Sequence, residues 1–535
     1  MDKFDYVVCG AGMAGCVVAY RLCEAGYSVA VIEAGPADRN PFIHIPGGFI
    51  KTMFNPKLTW PFETAPQTAL GNRKIRLVQG RVAGGSSSIN GFNYTRGQAE
   101  DFDEWSSLGN PGWSYEDVLP YFRRSESYAG ELTDFRGSDG PLPITPCPWV
   151  NPLCEAFLEA AAQAGIPPNP DYNGKSQAGS GYQQRWISGG LRFSTAKAFL
   201  RPALKTGRVK LITDATVSRV KLEGARATGV TYRHAPGAPE RHVEARREVV
   251  LCAGSVNSPK LLQLSGIGSH PHLRSAGITP AQDLPGVGEG LQDHYVVRVV
   301  TKVDSDQTIN RLSHGLPLLG EILRWATGRP SILAISPSVA CAFWNSQTDG
   351  GRPDVQLLFG PGSFMRSVPG LLDNFAGVTL GFIQQRPESR GHVRISSSDP
   401  FCAPEIDPRY LAEEADQKKV VSGLRLVRRV MASPAFQRYS LGEVSPGREV
   451  ESDEDLLGFA QANGTTGYHP AGTCRMGPDT DPLSVVDAQL KVRNIHRLRV
   501  IDASIMPRIT SGNTGAPTLM IAEKGSAMMI EAARS

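Results

Sequence analysis

The chain has 535 residues, of which 41% are hydrophobic and 20% are charged, a balance typical of folded globular proteins and not of disordered ones. Its formal net charge is only +4, which predicts no nucleic-acid partner. The nine cysteines form no CxxC pair and no Cys/His cluster at zinc spacing, so neither a disulfide framework nor a metal site is expected. The length predicts roughly two to four domains.

The N-terminal segment 1–15 lacks the basic and uninterrupted apolar regions of a secretory signal. The sequence also lacks the run of about 18 apolar residues that would indicate a membrane-spanning helix. We therefore expect a cytoplasmic protein with no integral membrane segment.

The first forty residues predict a strand, a helix and a second strand. FDYVVC at 4–9 is short and rich in β-branched and aromatic residues, and it runs directly into glycines. CVVAYRLCEAG at 16–26 fits a buried helix, and SVAVI at 28–32 fits the second strand. Such a crossover makes the two strands parallel, so the chain is expected to begin with a Rossmann-like domain.

Later segments alternate between two kinds of structure. Four strand-like runs lie between 209 and 252, and further runs between 296 and 395 suit a separate, mostly antiparallel sheet with helices. The predicted fold class is α/β, or α+β overall, with a Rossmann-like cofactor domain interrupted by a substrate-binding domain. The cofactor domain is assigned to 1–40, 75–100, 205–295 and 465–535, and the lid and substrate-binding domain to 41–74, 101–204 and 296–464.

The turn between the first strand and helix carries Gly10, Gly12 and Gly15 in a GxGxxG pattern. These glycines permit the tight turn, the approach of a pyrophosphate and close helix packing, and the helix N-terminus faces the phosphates. Glu33 ends the second strand about 20 residues on, where a carboxylate can bind a ribose diol. The pattern predicts a dinucleotide cofactor and leaves NAD and FAD both open.

Two further segments resemble a known family. GGSSSIN at 84–90 and GSVNSPKLLQLSGIG at 254–268 resemble the two signature regions of the glucose-methanol-choline (GMC) oxidoreductases, and DLPGVGEGLQDH at 283–294 also looks like a family block. GYHPAGTCRMG at 467–477 and SGNTGAPTLMIAEK at 511–524 continue the resemblance in family order. It spans essentially the whole chain and is closest to the bacterial choline-dehydrogenase-like and alcohol-dehydrogenase branch.

The resemblance implies FAD as the cofactor. Ile89 stands where some choline-oxidising relatives attach FAD covalently through a histidine, so the FAD is expected to be non-covalent. Asn90 and Asn93 are expected near the flavin, although either could instead stabilise a tight turn. The further cofactor-binding residues that the resemblance implies are Gly84, Gly85, Ser86, Val217, Asp502, Ala503 and Thr514.

The resemblance also implies two catalytic residues. Oxidising an alcohol requires a base near a hydride acceptor, and His469 matches the family's catalytic histidine. Asn513 matches the position of the second catalytic residue, where its amide can hydrogen-bond the substrate oxygen as this becomes alkoxide-like. A helix beginning near Pro517 would direct its positive end at the flavin.

The aromatic residues Tyr468, Trp60, Phe62 and Phe92 are candidates for the wall of the substrate pocket. No carboxylate is obviously placed for a quaternary ammonium group, which weakens choline as the substrate. The leading hypothesis is oxidation of a primary alcohol to the aldehyde, with His469 as base, hydride transfer to flavin N5, and oxygen, a quinone or another acceptor reoxidising the flavin. Two alternatives stay open, namely a non-redox FAD-containing lyase of the same fold and a non-catalytic flavin-binding protein.

Overall fold

A computed structural model describes residues 2–348, 350–365 and 370–534. It is a mixed α/β fold with two seven-stranded sheets, which confirms the predicted fold class. Within the described residues the α-helices are Met13–Glu24, Pro41–His44, Phe49–Met53, Ala99–Ser107, Tyr115–Ser125, Pro152–Gln163, Arg201–Lys205, Gly254–Leu264, His270–Ser275, Ile309–Leu312, Gly315–Ala326, Glu414–Met431, Pro434–Gln437, Asp453–Asn463 and Gly515–Arg534.

The first sheet contains the predicted N-terminal crossover. Its strands, in spatial order, are Val209–Ile212, Val29–Ile32, Asp2–Cys9, Arg241–Leu251, Arg226–Arg233 and Thr216–Glu223, and Leu498–Val500 also pairs with Arg241–Leu251. Asp2–Cys9 is parallel to both of its neighbours, while the last three strands form an antiparallel meander. Val29–Ile32 is buried along its whole length, as expected for a strand covered on both faces.

The second sheet is antiparallel throughout. Its strands, in spatial order, are Ser440–Ser445, Tyr295–Val303, Gly377–Gln384, Val355–Gly360, Ala340–Trp344 and Gly179–Tyr182, and Thr465–Thr466 also pairs with Tyr295–Val303. The Glu414–Met431 helix packs on this sheet, where a Cβ on Gly423 would lie 2.7 Å from the ring of Phe382. The absence of a side chain at 423 therefore lets the helix approach the strand closely.

Shorter strands complete the fold outside these two sheets. They are Thr59–Glu63, Arg76–Gly80, Glu126–Tyr128, Leu142–Pro146, Gln184–Arg185, Ile187–Ser188, Leu191–Arg192, Ile267–Gly268, Gln282–Asp283, Glu289–Leu291, Gly391–Arg394 and Glu405–Asp407. Every helix within the described residues falls short of the length or the apolar character that a bilayer span requires.

The two sheets can be compared with the domain division drawn from the sequence. All strands of the first sheet come from stretches assigned to the cofactor domain. The second sheet comes mainly from the substrate-binding stretches, but Thr465–Thr466 and the first residue of Tyr295–Val303 lie in ranges assigned to the cofactor domain. The domain division itself stays a prediction.

The last helix of the described chain packs against the helix that follows the glycine turn. Glu523, in Gly515–Arg534, is fully buried and accepts hydrogen bonds of 2.7 and 2.8 Å from the guanidinium of Arg21, in Met13–Glu24. Arg21 also pairs with the half-exposed Glu24 at 2.8 Å. The Arg21–Glu523 ion pair joins the two helices.

Replacing Glu523 with Ala should lower the free energy of unfolding by about 3 kcal/mol, because it leaves the buried Arg21 guanidinium without its main partner. The Glu24→Ala variant should cost less than about 1 kcal/mol, since Glu24 is half-exposed and solvent screens it. Urea denaturation of both variants compares the two costs. If both variants lost the same free energy of unfolding, the buried Arg21–Glu523 ion pair would not be the stronger of the two Arg21 pairs.

Candidate active site

The first glycine turn has the geometry that its sequence predicts. Gly10 has a φ of +102°, a conformation that glycine adopts without a steric penalty. Gly12 is the N-cap of the Met13–Glu24 helix, and a Cβ on Gly15 would lie 1.9 Å from the carbonyl oxygen of Gly10. The turn therefore leaves the backbone at the start of this helix open to a ligand.

Glu33 holds this turn from the end of the neighbouring strand. Its two carboxylate oxygens accept hydrogen bonds of 2.8 Å from the backbone N–H groups of Ala11 and Gly35. Burial raises the pKa of Glu33 to about 7. The Glu33 side chain thus has a structural role. Each of its carboxylate oxygens has a further lone pair that can accept from the ribose hydroxyls of the predicted cofactor.

A second glycine loop packs directly against the first. The N–H of Gly84 donates to the carbonyl oxygen of Ala11 at 2.7 Å, and a Cβ on Gly85 would lie 2.7 Å from the Cα of Gly12. Ser86 accepts a hydrogen bond from the Gly80 N–H at 3.1 Å. The two loops form one wall of backbone atoms, which suits close approach by phosphate groups.

Two adjoining cavities run along this wall, with empty volumes of about 660 and 710 Å³. They share several lining residues, among them Gly12, Gly85 and Trp60. Of the predicted cofactor residues, the first cavity is lined by Gly10, Gly12, Glu33, Gly85 and Val217, and the second by Gly12, Gly85, Ser86, Asp502, Ala503 and Thr514. An elongated dinucleotide can approach the backbone closely here, because a Cβ on Gly10 or Gly85 would lie 2.6 or 2.7 Å from neighbouring backbone atoms and both positions are glycine.

Gly15, Gly84, Asn90 and Asn93 lie outside the lining of both cavities. The Asn90 side-chain oxygen accepts from the Phe92 N–H at 3.2 Å and from the Arg192 guanidinium at 3.0 Å, which is the turn-stabilising alternative. Asn93 donates to Ser338 Oγ at 3.0 Å. Its buried oxygen has no hydrogen-bond partner among the described residues, so it is available to a ligand.

Both carboxylate oxygens of Asp502 accept hydrogen bonds from other groups of the protein. One carboxylate oxygen accepts from the Gly254 N–H at 2.8 Å and from Ser258 Oγ at 2.6 Å, and the other accepts from Ser504. It thereby caps the Gly254–Leu264 helix, which begins beside the second cavity. Asp502 therefore orders the start of the Gly254–Leu264 helix and Ser504, and its contact with the cofactor stays a prediction.

The four predicted pocket aromatics occupy different environments. Trp60 and Phe62 are stacked, with ring centroids 5.5 Å apart, and both line the second cavity with Tyr468. Phe92 is fully buried in the core, where the Arg192 guanidinium lies 3.8 Å from its ring centroid. Phe92 thus lies outside the lining of both cavities.

The two predicted catalytic residues are in direct contact. His469 Nε2 lies 3.1 Å from Asn513 Nδ2. Asn513 precedes the Gly515–Arg534 helix, whose first turn contains Pro517. Thr514 and Thr518 in the same stretch line the second cavity, so the positive end of this helix faces it.

A chain of hydrogen bonds defines the tautomer of His469. The Gln385 backbone carbonyl, which can only accept, lies 2.8 Å from His294 Nε2, so this nitrogen carries the proton. His294 Nδ1 is then the acceptor for His469 Nδ1–H, 3.0 Å away. His469 Nε2 is left with its lone pair, facing the amide N–H of Asn513.

Hydrogen bonds to the side-chain oxygen of Asn513 orient its amide group. Its oxygen accepts from Thr95 Oγ1 at 3.4 Å and from Gln356 Nε2 at 3.3 Å. Because both neighbours donate to the oxygen, the amide nitrogen points at His469. The pair presents one base and one N–H donor side by side.

Asp293 fixes the backbone around His469. Its buried carboxylate accepts from the His469 N–H at 2.8 Å and from the hydroxyls of Thr466 and Tyr410, and burial raises its pKa to about 6. Tyr468 has a φ of +64°, which is unusual for an aromatic residue, and its N–H donates to Thr466 Oγ1 at 2.7 Å. These bonds hold a strained backbone that places the His469 ring.

Burial lowers the pKa of His469 well below its ordinary value of 6.5, and the neighbouring His294 lowers it further. Burial also lowers the pKa of His294 to about 4. Both rings are therefore neutral near pH 7, and His469 is in the form that can accept a proton.

Several residues of the site were missed by the sequence reasoning. Asp293 and His294 end the DLPGVGEGLQDH block, which was noted without a role for them. Gln356 is a polar residue within the apolar strand Val355–Gly360, and this contrast is a signal that could have identified it. Lys260 lines the first cavity and donates to the carbonyls of Pro400 and Cys402 at 2.7 and 2.6 Å, which holds that loop beside the cavity.

Comparisons with known proteins identify the family. The N-terminal GMC oxidoreductase family model matches residues 4–296 and the C-terminal one matches 387–522. The chain belongs to the GMC oxidoreductase family. This GMC oxidoreductase is 40% identical over 529 residues to the oxygen-dependent choline dehydrogenase of Photobacterium profundum, covering 98% of this chain and 92% of the relative. It is 41% identical over 530 residues to that of Rhizobium johnstonii, covering 98% and 94%.

Solved structures agree with this assignment. The GMC oxidoreductase superposes on pyridoxine 4-oxidase from Mesorbium loti with a TM-score of 0.88 at 30% identity, covering 98% of each chain. It superposes on a formate oxidase variant from Aspergillus oryzae with a TM-score of 0.92 at 26% identity, covering 100% of this chain and 99% of the other. The chain is therefore an FAD-dependent oxidoreductase acting on alcohols, which confirms the family, the enzyme class and the cofactor predicted from the sequence.

The hydrogen-bond chain predicts that His294 positions the base. His294→Leu removes the acceptor for His469 Nδ1–H and lets the ring adopt either tautomer. We expect the rate constant for flavin reduction to fall roughly tenfold or more, but by less than the hundred- to ten-thousand-fold that loss of the base itself would cause.

His294→Gln should recover much of this rate, because its amide oxygen can accept the same hydrogen bond. His392→Leu, at a histidine paired with Glu405 outside the site, is the control. Anaerobic stopped-flow absorbance measures each rate, and an unchanged rate in His294→Leu would rule out the positioning role.

Proposed function

We propose that this enzyme oxidises a primary alcohol to the aldehyde, with His469 as the base and Asn513 as the donor that binds the substrate oxygen. The observation that carries the proposal is the single lone pair on His469 Nε2, 3.1 Å from the Asn513 amide nitrogen. FAD supplies the hydride acceptor at flavin N5 when it is bound.

The proton has a defined path in this arrangement. His469 Nε2 takes the hydroxyl proton, while Nδ1–H keeps its hydrogen bond to His294 and the new positive charge stays on the His469 ring. The Asn513 N–H then donates to the oxygen as its negative charge develops. His469 keeps its tautomer during the step, and the Asn513 N–H, which faces Nε2 at 3.1 Å before the substrate binds, turns to the substrate oxygen.

The carboxylate beside His469 argues against a quaternary ammonium substrate. Asp293 already accepts from the His469 N–H, Thr466 and Tyr410, so its oxygens are not free to bind a cation. The aromatic residues Trp60, Phe62 and Tyr468 line the nearby cavity. Aromatic faces can pack against an uncharged alcohol or hold a quaternary ammonium by cation–π attraction, so our preference for an uncharged primary alcohol over the choline of the relatives' names rests on the carboxylate alone.

Anaerobic mixing with a panel of aliphatic, aromatic and furanic alcohols, choline and sugars tests this function. We expect uncharged primary alcohols to bleach the flavin and choline to do so poorly. Rapid recovery of colour in air would identify oxygen as the acceptor, and slow recovery would indicate another acceptor. Aldehyde release without bleaching, or no reaction with any alcohol, would contradict the proposal and favour the lyase or the non-catalytic protein.

Replacing His469 with Ala should slow flavin reduction by roughly two to four orders of magnitude, the contribution of a positioned base. Asn513→Ala should slow it by roughly two to three orders, as for loss of an oxyanion donor. Single-turnover flavin absorbance measures both, with His392→Ala as the matched control outside the site. Near-wild-type reduction in His469→Ala would refute the role of the base.

The pH dependence of flavin reduction follows from the lowered pKa of His469. Because the neutral ring is favoured, protonation that inactivates the base should begin only below pH 6.5. We expect a rate constant that is flat above this pH and falls in acid. An acid limb centred above 6.5 in single-turnover measurements would contradict this assignment.

A further inference from the structure

The Gly315–Ala326 helix exposes an apolar stripe, although the apolar Leu318 and Trp325 lie half-buried on its other side. Its outward face carries Leu316, Leu319, Ile322 and Leu323, which are 82%, 56%, 41% and 66% exposed. Its only buried residue is the acidic Glu321. Surface helices normally turn their apolar stripe towards the core, so this exposed stripe requires an explanation.

Polar contacts prevent the helix from rolling inward. The Glu321 carboxylate accepts from the Ile332 N–H at 2.8 Å, and the Glu321 carbonyl accepts from Ser331 Oγ at 2.9 Å. Trp325 Nε1 donates to the Gly190 carbonyl at 2.9 Å. Burying the leucines against the protein would break these bonds, so the apolar face is held outward.

Within residues 309–330, the exposed side chains that carry a charge are all basic. Residues 309–330 contain Arg311, Arg324 and Arg329, and their only acidic side chain is the buried Glu321. Arg311 and Arg329 are exposed and Arg324 is half-exposed. An apolar stripe with a cationic border complements an anionic lipid surface, into which such helices insert parallel to the plane.

We propose that the face formed by Leu316, Leu319, Ile322 and Leu323, with Arg311, Arg324 and Arg329 at its border, docks on an anionic phospholipid bilayer. A second copy of this chain fits the face less well, because a two-fold contact would bring the same arginines together.

The docking face is connected to the candidate active site. The segment after the helix leads to Pro337, which packs against Gly91, and to Ser338, which accepts the Asn93 side chain at 3.0 Å. Docking would place this side of the site near the membrane, where apolar alcohols concentrate. The docking itself does not depend on the proposed reaction.

Flotation of the FAD-loaded protein with vesicles tests the surface. We expect binding to phosphatidylcholine vesicles containing phosphatidylglycerol, weaker binding to phosphatidylcholine alone, and weakening by salt. The double variant Leu319→Glu/Leu323→Glu should bind at least tenfold more weakly, and Arg324→Gln/Arg329→Gln should lose the preference for anionic lipid. Leu441→Glu, at a leucine 60% exposed on the Ser440–Ser445 strand, should bind like the wild type.

Thermal melting and the flavin spectrum establish that the variants are folded. Absence of vesicle binding by the wild type, or equal binding by Leu319→Glu/Leu323→Glu, would overturn the proposal. Mass photometry without lipid measures whether the wild-type protein forms a dimer. A wild-type dimer that the same double variant dissociates would identify the face as an interface between copies, and would also overturn it.

Discussion

The candidate site depends on one backbone carbonyl that can only accept a hydrogen bond. The Gln385 carbonyl fixes the proton on His294 Nε2, His294 then fixes the proton on His469 Nδ1, and the lone pair of His469 Nε2 faces the Asn513 amide. Each ring is buried and neutral. A protonation state needed for base chemistry is thus set by the position of a peptide group, without a charged partner in contact with the ring.

The second sheet supplies most of this chain of contacts. Asp293 and His294 directly precede the strand Tyr295–Val303, Gln356 lies on the neighbouring part of the sheet, and Gln385 follows Gly377–Gln384. Asn513 instead precedes the helix that is tied to the first sheet's crossover helix through Glu523 and Arg21. Base and donor therefore meet only when both sheets are assembled.

The glycine loops and three aromatic residues line one system of adjoining cavities. Where the backbones of Gly10, Gly12 and Gly85 come close together, side chains are excluded and a dinucleotide can approach. Tyr468 and the stacked Trp60 and Phe62 border the second cavity. Backbone atoms of the glycine loops and side chains of the aromatic residues thus contribute to the lining of the same cavities.

The sequence by itself determined the α/β fold class, the N-terminal crossover with its glycine turn, the family and FAD, because these depend on local periodicity and on contiguous motifs. It also indicated His469 and Asn513, whose mutual distance it could not supply. Only the tertiary structure decided that His294 and Gln385 set the tautomer of His469, that the Asn90 side-chain oxygen accepts from Phe92 and Arg192, and that Phe92 lies in the core. Such contacts join residues tens to hundreds of positions apart, and their geometry depends on packing between elements that sequence spacing does not encode.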